Sequence, residues 1–235
     1  PGIIRHSVFE KARGDDALNI KFTSSTVAFN VFRHNSADAI DYDYSNGVIE
    51  HNRFVDNGND AIDTSGSPVL IQFNDVYRSG DKCISVGEQS TIVIFNNLLD
   101  GCRTGIEIKD LSTPLIVNNV IVNNFTGIHS YQKKEIFGGG QGQVFNSIIW
   151  DNATTTSADS VSHLFGQYNA IAGGYPGEGN FDAAPVWRDP AERDYRVAFD
   201  QANQRYRRGL STILAEAGID VDVVVPVGLV YPLPF

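Results

Sequence analysis

Ionisable side chains recur in this sequence every 22 residues. Asp16, Asp38, Asp60, Lys82, Thr104 and Thr126 form one series. Asn19, Asp41, Asp63, Ser85, Glu107 and His129 form a second, and Lys21, Asp43, Ser65, Gly87, Lys109 and Tyr131 a third. Carboxylates brought within about 5 Å raise one another's pKa, recruit a hard cation such as Ca²⁺, or splay into water. Asp38, Asp41, Asp60 and Asp63 are thus the candidate metal ligands. Lys82, Arg103, His129 and Tyr131 offer a cation, a base and an acid, so they are the candidate catalytic set. Asp41, Asp43, Asp60, Asp63, Asp81, Glu107 and Lys109 are the candidate ligand-binding residues around them. The plain alternative is a solvated face whose Lys and Arg serve as ion partners for Asp60, Asp81 and Glu107.

Such columns need an element that repeats on the same period. Leu18, Ile40, Ile62, Ile84, Ile106 and Ile128 are each 22 apart, and Asn30, Asn52, Asn74, Asn96 and Asn118 follow suit. Val27, Ile49, Ile71, Val93 and Leu115 precede each Asn by three; Phe32, Phe54, Val76, Leu98 and Val120 follow by two. Apolar residues alternate over short, β-branched runs (Ile40/Tyr42, Ile84/Val86, Ile106/Ile108), which is strand periodicity. The surviving architecture is an all-β solenoid whose coil carries about three short parallel strands, stacked at about 4.8 Å. The Asn column reads as an amide ladder: Asn tolerates the left-handed turn, and each member satisfies its neighbours. Phe29, Phe73 and Phe95, one residue earlier, read as stacked core. A further copy at Val144–Ile148 lies 28 residues on, with the extra residues in the loop from Gln132 to Gly142. The glycines of that loop allow a wall or a lid.

This pattern resembles the right-handed parallel β-helix of the pectin-lyase-like superfamily, over roughly residues 1–153. The resemblance implies about seven coils and an extracellular or cell-surface protein. It also implies one of several roles: polysaccharide lyase, polygalacturonase, uronan epimerase, phage tailspike or passive surface protein. Polygalacturonases carry Asn-Thr-Asp, Gly-Asp-Asp and Gly-His-Gly about one coil apart. Here these fall on Gly58-Asn59-Asp60, Gly80-Asp81-Lys82 and Cys102-Arg103-Thr104. Asp60 and Asp81 match, whereas Lys82 and Arg103 replace an Asp and a His. That removes the acid–base pair an inverting hydrolase needs. The substituted set suits a uronate lyase or epimerase: Arg clamps the sugar carboxylate, Lys or His takes the C5 proton, and Tyr acts as acid. The expected ligand is a polysaccharide. No motif requires a cofactor, and Ca²⁺ is the ion the carboxylates invite. The alternatives are a non-catalytic spacer or adhesion module, and a phage or virus fibre segment.

Composition sets the remaining bounds. Of 235 residues, 42% are hydrophobic, too many for disorder, and the net charge of −10 argues against nucleic acid. No stretch approaches the roughly 18 apolar residues of a membrane span. The chain opens at Pro1 without Met, the expectation for a fragment or processed product. Residues 154–235 read as a cap on the solenoid's raw end, with a helical face at Phe199, Ala202, Tyr206, Leu210, Ile213, Leu214 and Ala217. A strand is expected at 221–230. Cys102 aligns with Gly80, three residues before Cys83, which predicts two free thiols. The oligomeric state is not legible.

Overall fold

A computed structural model describes residues 2–197; the helix and strand expected at 199–217 and 221–230 lie outside the described residues. The chain winds through about eight turns, adding eight short strands to each of two parallel sheets and seven to a third. The first sheet runs from Gly2–Arg5 to His163–Gln167 and the second from Val8–Glu10 to Ala170–Ile171. The third contains Asn19–Lys21, Ile40–Asp43, Ile62–Ser65, Lys82–Gly87, Thr104–Lys109, Thr126–Tyr131 and Thr154–Ala158. The parallel sheets therefore continue past residue 153, through coils where the repeat has faded. No helix among the described residues is long and apolar enough to cross a membrane.

Inside the coils, alternation buries one apolar residue per strand in vertical file. Ile40, Ile62, Ile84, Ile106 and Ile128 are fully buried, and Phe9, Phe32 and Phe54 stack with ring centroids 4.6 and 5.0 Å apart. At most corners a residue of positive φ is followed by a polar residue turned inward. At the second corner Asn30, Asn52, Asn74, Asn97, Asn119, Ser147 and Asn169 form a ladder. At the third, Asn35 bonds Asn57, and Asn124 bonds Asn152. At the first, the backbone N–H groups of Thr23, Ser45, Ser67 and Ser90 donate in turn to the hydroxyls of Ser45, Ser67, Ser90 and Ser112. Three polar seams thus run up the solenoid, the third interrupted at Ser79, and satisfy backbone N–H groups that the bends would otherwise orphan.

The constant 22-residue spacing holds on the third sheet from Asn19 to Tyr131 but not over the same coils of the other two. Glu88 and Gln89 both take positive φ where the previous coil has Gly66 alone, so this corner holds one extra residue. Ile71 accordingly pairs Ile94 rather than Val93, and Asp75 pairs Leu98. A shorter third corner restores Lys82 opposite Thr104. The slip corrects the expected Asn column. Asn97 and Asn119 continue the ladder, while Asn96 and Asn118 occupy the outward positive-φ positions and bond each other at 2.6 Å. In earlier coils the outward positions hold rings: His6, Phe29, His51 and Phe73 stack at 5.4, 4.8 and 5.0 Å. Phe29 and Phe73 are thus a half-buried external stack, not core; Phe95 is buried with Val117 and Phe145.

The thiol expectation is also corrected: Cys83 and Cys102 form a disulfide, with Cα atoms 5.7 Å apart. Cys102 follows Gly101, whose φ is +76°, and its N–H bonds Asn124, so it occupies a ladder slot facing inward. Three residues of separation would be too far along a straight strand. Here they span a bend, and both side chains point inward from it. The bond bridges two coils where the ladder offers only Ser79, whose buried hydroxyl has no partner among the described residues.

Beyond Ile171 the chain turns back along the outside of the second sheet. Trp187–Asp189 pairs with Asp194–Val197, and Tyr195 packs with Leu98, Val120, Val122 and Ile148. Arg193 bonds Asp100 at 2.6 Å and Asp75 at 2.7 Å, and its guanidinium lies 4.1 Å from the centroid of Tyr77. Removing one side of such a desolvated pair strands the other charge.

Asn74→Ala should destabilise the protein by about 2–4 kcal/mol in denaturant melts, because two donors of Asn52 lose their acceptor. Proteolysis under denaturing, non-reducing conditions should yield a peptide pair joined through Cys83 and Cys102, released on reduction.

Candidate functional site

The outer face of the third sheet carries the columns expected from the repeat. Asn19, Asp41, Asp63, Ser85, Glu107 and His129 are register partners in sequence, as are Lys21, Asp43 and Ser65, and Lys109 with Tyr131. Alternation forces this face outward, because Ile40, Tyr42 and their equivalents fill the core.

Lys82 is the hub. Its ammonium bonds Asp81 and lies 3.6 Å from Asp60 and 3.7 Å from Glu107. Burial works against its charge, but Asp60, Asp81 and Glu107 outweigh it and hold the ammonium above the usual lysine range. The Tyr131 hydroxyl donates to Glu107 Oε1 at 3.1 Å. Burial, together with the Glu107 charge, keeps that phenol protonated well above the ordinary tyrosine range. His129 stacks on Tyr131 at 4.7 Å, and its Nδ1 lies 3.9 Å from Glu107 Oε2. Lys82, Glu107, His129 and Tyr131 are therefore one contiguous group. Lys109 crosses the face the other way, donating to Ser85 Oγ at 2.8 Å and lying 3.8 Å from Asp63. Its path depends on Gly87, where a Cβ would sit 2.7 Å from Lys109 Cε.

The acids gather below this group. Asp38, Asp60 and Asp63 each present an oxygen within 4.8 Å of the others, a donor set suited to a hard cation. Asp38 Oδ1 also accepts from Asn59 Nδ2 and Asp60 N, and Asp60 Oδ1 from Lys82 N. Burial, then repulsion from Asp43, Asp63 and Asp16, pushes Asp41 up to about 7. Burial raises Asp60 to about 7 as well, against the opposing pull of Lys82 and with help from Asp63 and Asp38. Asp41 stays outside the three-acid group, accepting from Asn19 at 2.8 Å, and Asp43 is paired with Lys21 at 2.6 Å.

Two members of the expected site are placed differently from the rest. Arg103 is exposed at the third corner, and its side chain joins no ion pair among the described residues. The loop after Tyr131 is a fixed wall rather than a hinge. Asp110 Oδ1 accepts from the backbone N–H groups of Lys133 and Lys134 at 2.9 and 2.7 Å, and Lys134 pairs with Glu88. Its glycines serve close packing: a Cβ at Gly139 would fall 2.3 Å from the Val161 carbonyl oxygen, and one at Gly140 2.4 Å from that of Ile108. Sequence reasoning passed over Asp110 and Gly87. A glycine within a column of charged residues was the available signal for the second. Asn124 and Asn152, each followed two residues on by Thr, are the paired ladder amides of the third corner.

A carboxyl whose folded pKa is raised binds more protons in the folded state between the unfolded and folded values. Stability contributed by Asp41 and Asp60 is therefore lost as pH rises from about 4 to about 7 and changes no further above that. Relative to wild type, the Asp41→Asn, Asp60→Asn double variant should gain thermal stability across this window, as read from melts at successive pH values.

A family model described as the right-handed beta helix region matches residues 2–137. No curated protein matches the chain. The match spans more than half of the sequence and coincides with the stacked coils, in keeping with the pectin-lyase-like superfamily. The chain belongs to the right-handed β-helix family.

Proposed function

We propose that this protein binds an acidic polysaccharide along the outer face of the third sheet and performs lyase or epimerase chemistry on a uronate there. The observation that carries this reading is the contiguous group Lys82, Glu107, His129 and Tyr131, with base, acid and cation side by side on one solvent-facing surface. His129 takes the C5 proton. Lys82 is fixed as the ammonium and supplies positive charge near the carboxylate, so the role of base passes to the imidazole. Tyr131 remains a protonated phenol and supplies the proton to the departing oxygen in elimination, as the C4–O bond breaks. Arg103, which joins no ion pair among the described residues, meets a sugar carboxylate. Asp38, Asp60 and Asp63 would hold a Ca²⁺, whose charge would offset repulsion between an acidic ligand and an acidic surface. The disulfide between Cys83 and Cys102 fits an oxidising compartment, and with it secretion or display at the cell surface.

A second reading is favoured by one observation: Lys82 and Lys109 are already neutralised by carboxylates of the same face. The solenoid is then a non-catalytic spacer or adhesion module whose ion pairs hold the coils together.

Incubation with a panel of uronans should generate the ultraviolet absorbance of an unsaturated uronate, or deuterium exchange at C5 if the enzyme epimerises. His129→Ala and Tyr131→Phe should each lower kcat roughly 10²-fold or more, and chelation of Ca²⁺ should raise KM. Binding with neither product, unchanged in His129→Ala, would establish the passive module instead.

A further inference from the structure

Independently of the uronate chemistry, we propose that Arg13-Gly14-Asp15 is an adhesion ligand. Its partner is a receptor that grips the guanidinium with carboxylates and takes the Asp15 carboxylate onto a bound divalent cation. The three residues lie at the third corner, between Val8–Glu10 and Asn19–Lys21, and all are exposed. That exposure belongs to the corner itself. Ser36, Gly58 and Gly80, at the same corner of coils stacked on both sides, are exposed as well. The corner is also longer here. Asp16, which bridges Asp38, stands four positions after Ala12, whose N–H donates to Asn35. Asp38 and Asp60 stand three positions after Asn35 and Asn57, so the added residue lies within this bend.

The tripeptide alone would carry little; its presentation carries the inference. The coil above holds the backbone. Ser36 N–H donates to Ala12 O at 2.9 Å, Ser36 Oγ to Gly14 O at 3.3 Å, and Asp38 N–H to Asp15 O at 3.3 Å. The side chains are left over: neither Arg13 nor Asp15 has an ion pair or side-chain hydrogen bond among the described residues. Neighbouring charges are engaged, Arg33 with Glu10, Lys21 with Asp43, and Asp16 with Asn19 at 2.7 Å. A Cβ at Gly14 would meet nothing within 4 Å, so the space over the middle of the bend is open. A held backbone carrying two uncommitted, opposite charges lowers the ordering cost of binding. The two charges, one glycine apart, fit only a surface that offers an anion and a cation at matching positions, which is a basis for selectivity.

Surface plasmon resonance of the full chain against purified integrin ectodomains of the Arg-Gly-Asp-reading class, in Mg²⁺, tests this directly. Wild type should bind, and chelation of Mg²⁺ or a short cyclic Arg-Gly-Asp peptide should abolish the signal. Arg13→Ala should bind roughly 30-fold or more weakly. Asp15→Glu keeps the charge but moves the carboxylate by one methylene, and should lose a comparable factor because coordination is a geometric demand. Lys11→Ala, which removes a charge two residues before Arg13, should bind as wild type does. Melting temperatures of Arg13→Ala and Asp15→Glu should match wild type, since neither side chain has a partner to lose. No binding by wild type, or binding that survives chelation or Asp15→Glu, would overturn the ligand. A fall in Tm shared by both variants would make the two side chains structural and overturn it too. None of these results bears on the uronate reading, which is scored on sugar.

Discussion

Every coil of this protein bends three times, and every bend turns polar backbone toward the interior. The structure depends on answering those groups from the coil above, through inward Asn, Ser and Cys side chains in three vertical seams. An amide in such a seam is satisfied only if its neighbour is in register, so the seams reward one stacking and penalise its alternatives. The apolar files of Ile and Phe supply the driving force, yet they would tolerate a sliding coil better than the ladders do. Register here is set by polar chemistry, within a core otherwise dominated by hydrophobic burial.

That constraint explains what was legible in the sequence. Ile40, Ile62 and Ile84 announced the solenoid because a fixed period plus alternation has few physical solutions. The charged columns of the third sheet were readable for the same reason, since no residue is gained or lost along it between Asn19 and Tyr131. Asn96 was misassigned because one added residue at Glu88–Gln89 shifts two sheets and is cancelled before the third. An unbroken 22-residue count passes straight over such a compensated slip. The disulfide was missed on the same arithmetic: counting residues along the chain measures distance along a strand, whereas Cys83 and Cys102 meet across a bend.

The site inherits its properties from the scaffold. One-coil spacing brings Asp38, Asp60, Lys82, Glu107 and Tyr131 within reach of one another without any loop having to place them. It also couples them, so Lys82 cannot serve as a base while three carboxylates face it. The wall formed after Tyr131 is fastened by Asp110 and close glycine packing, so the face is open by construction rather than gated. A rigid, ruled surface of this kind suits a long, repetitive ligand better than a small one.

Cross-linking at the slip tests the account most directly. Leu70 faces outward and pairs Val93, whereas Ile92 is buried with its side chain on the opposite side of the strand. Two double variants, Leu70→Cys with Val93→Cys and Leu70→Cys with Ile92→Cys, should therefore behave differently under mild oxidation of the folded protein. Peptide mapping should find residues 70 and 93 joined in the first and no link between 70 and 92 in the second. A link only between residues 70 and 92 would mean that the unbroken repeat governs the stacking, and the seams described here would not exist.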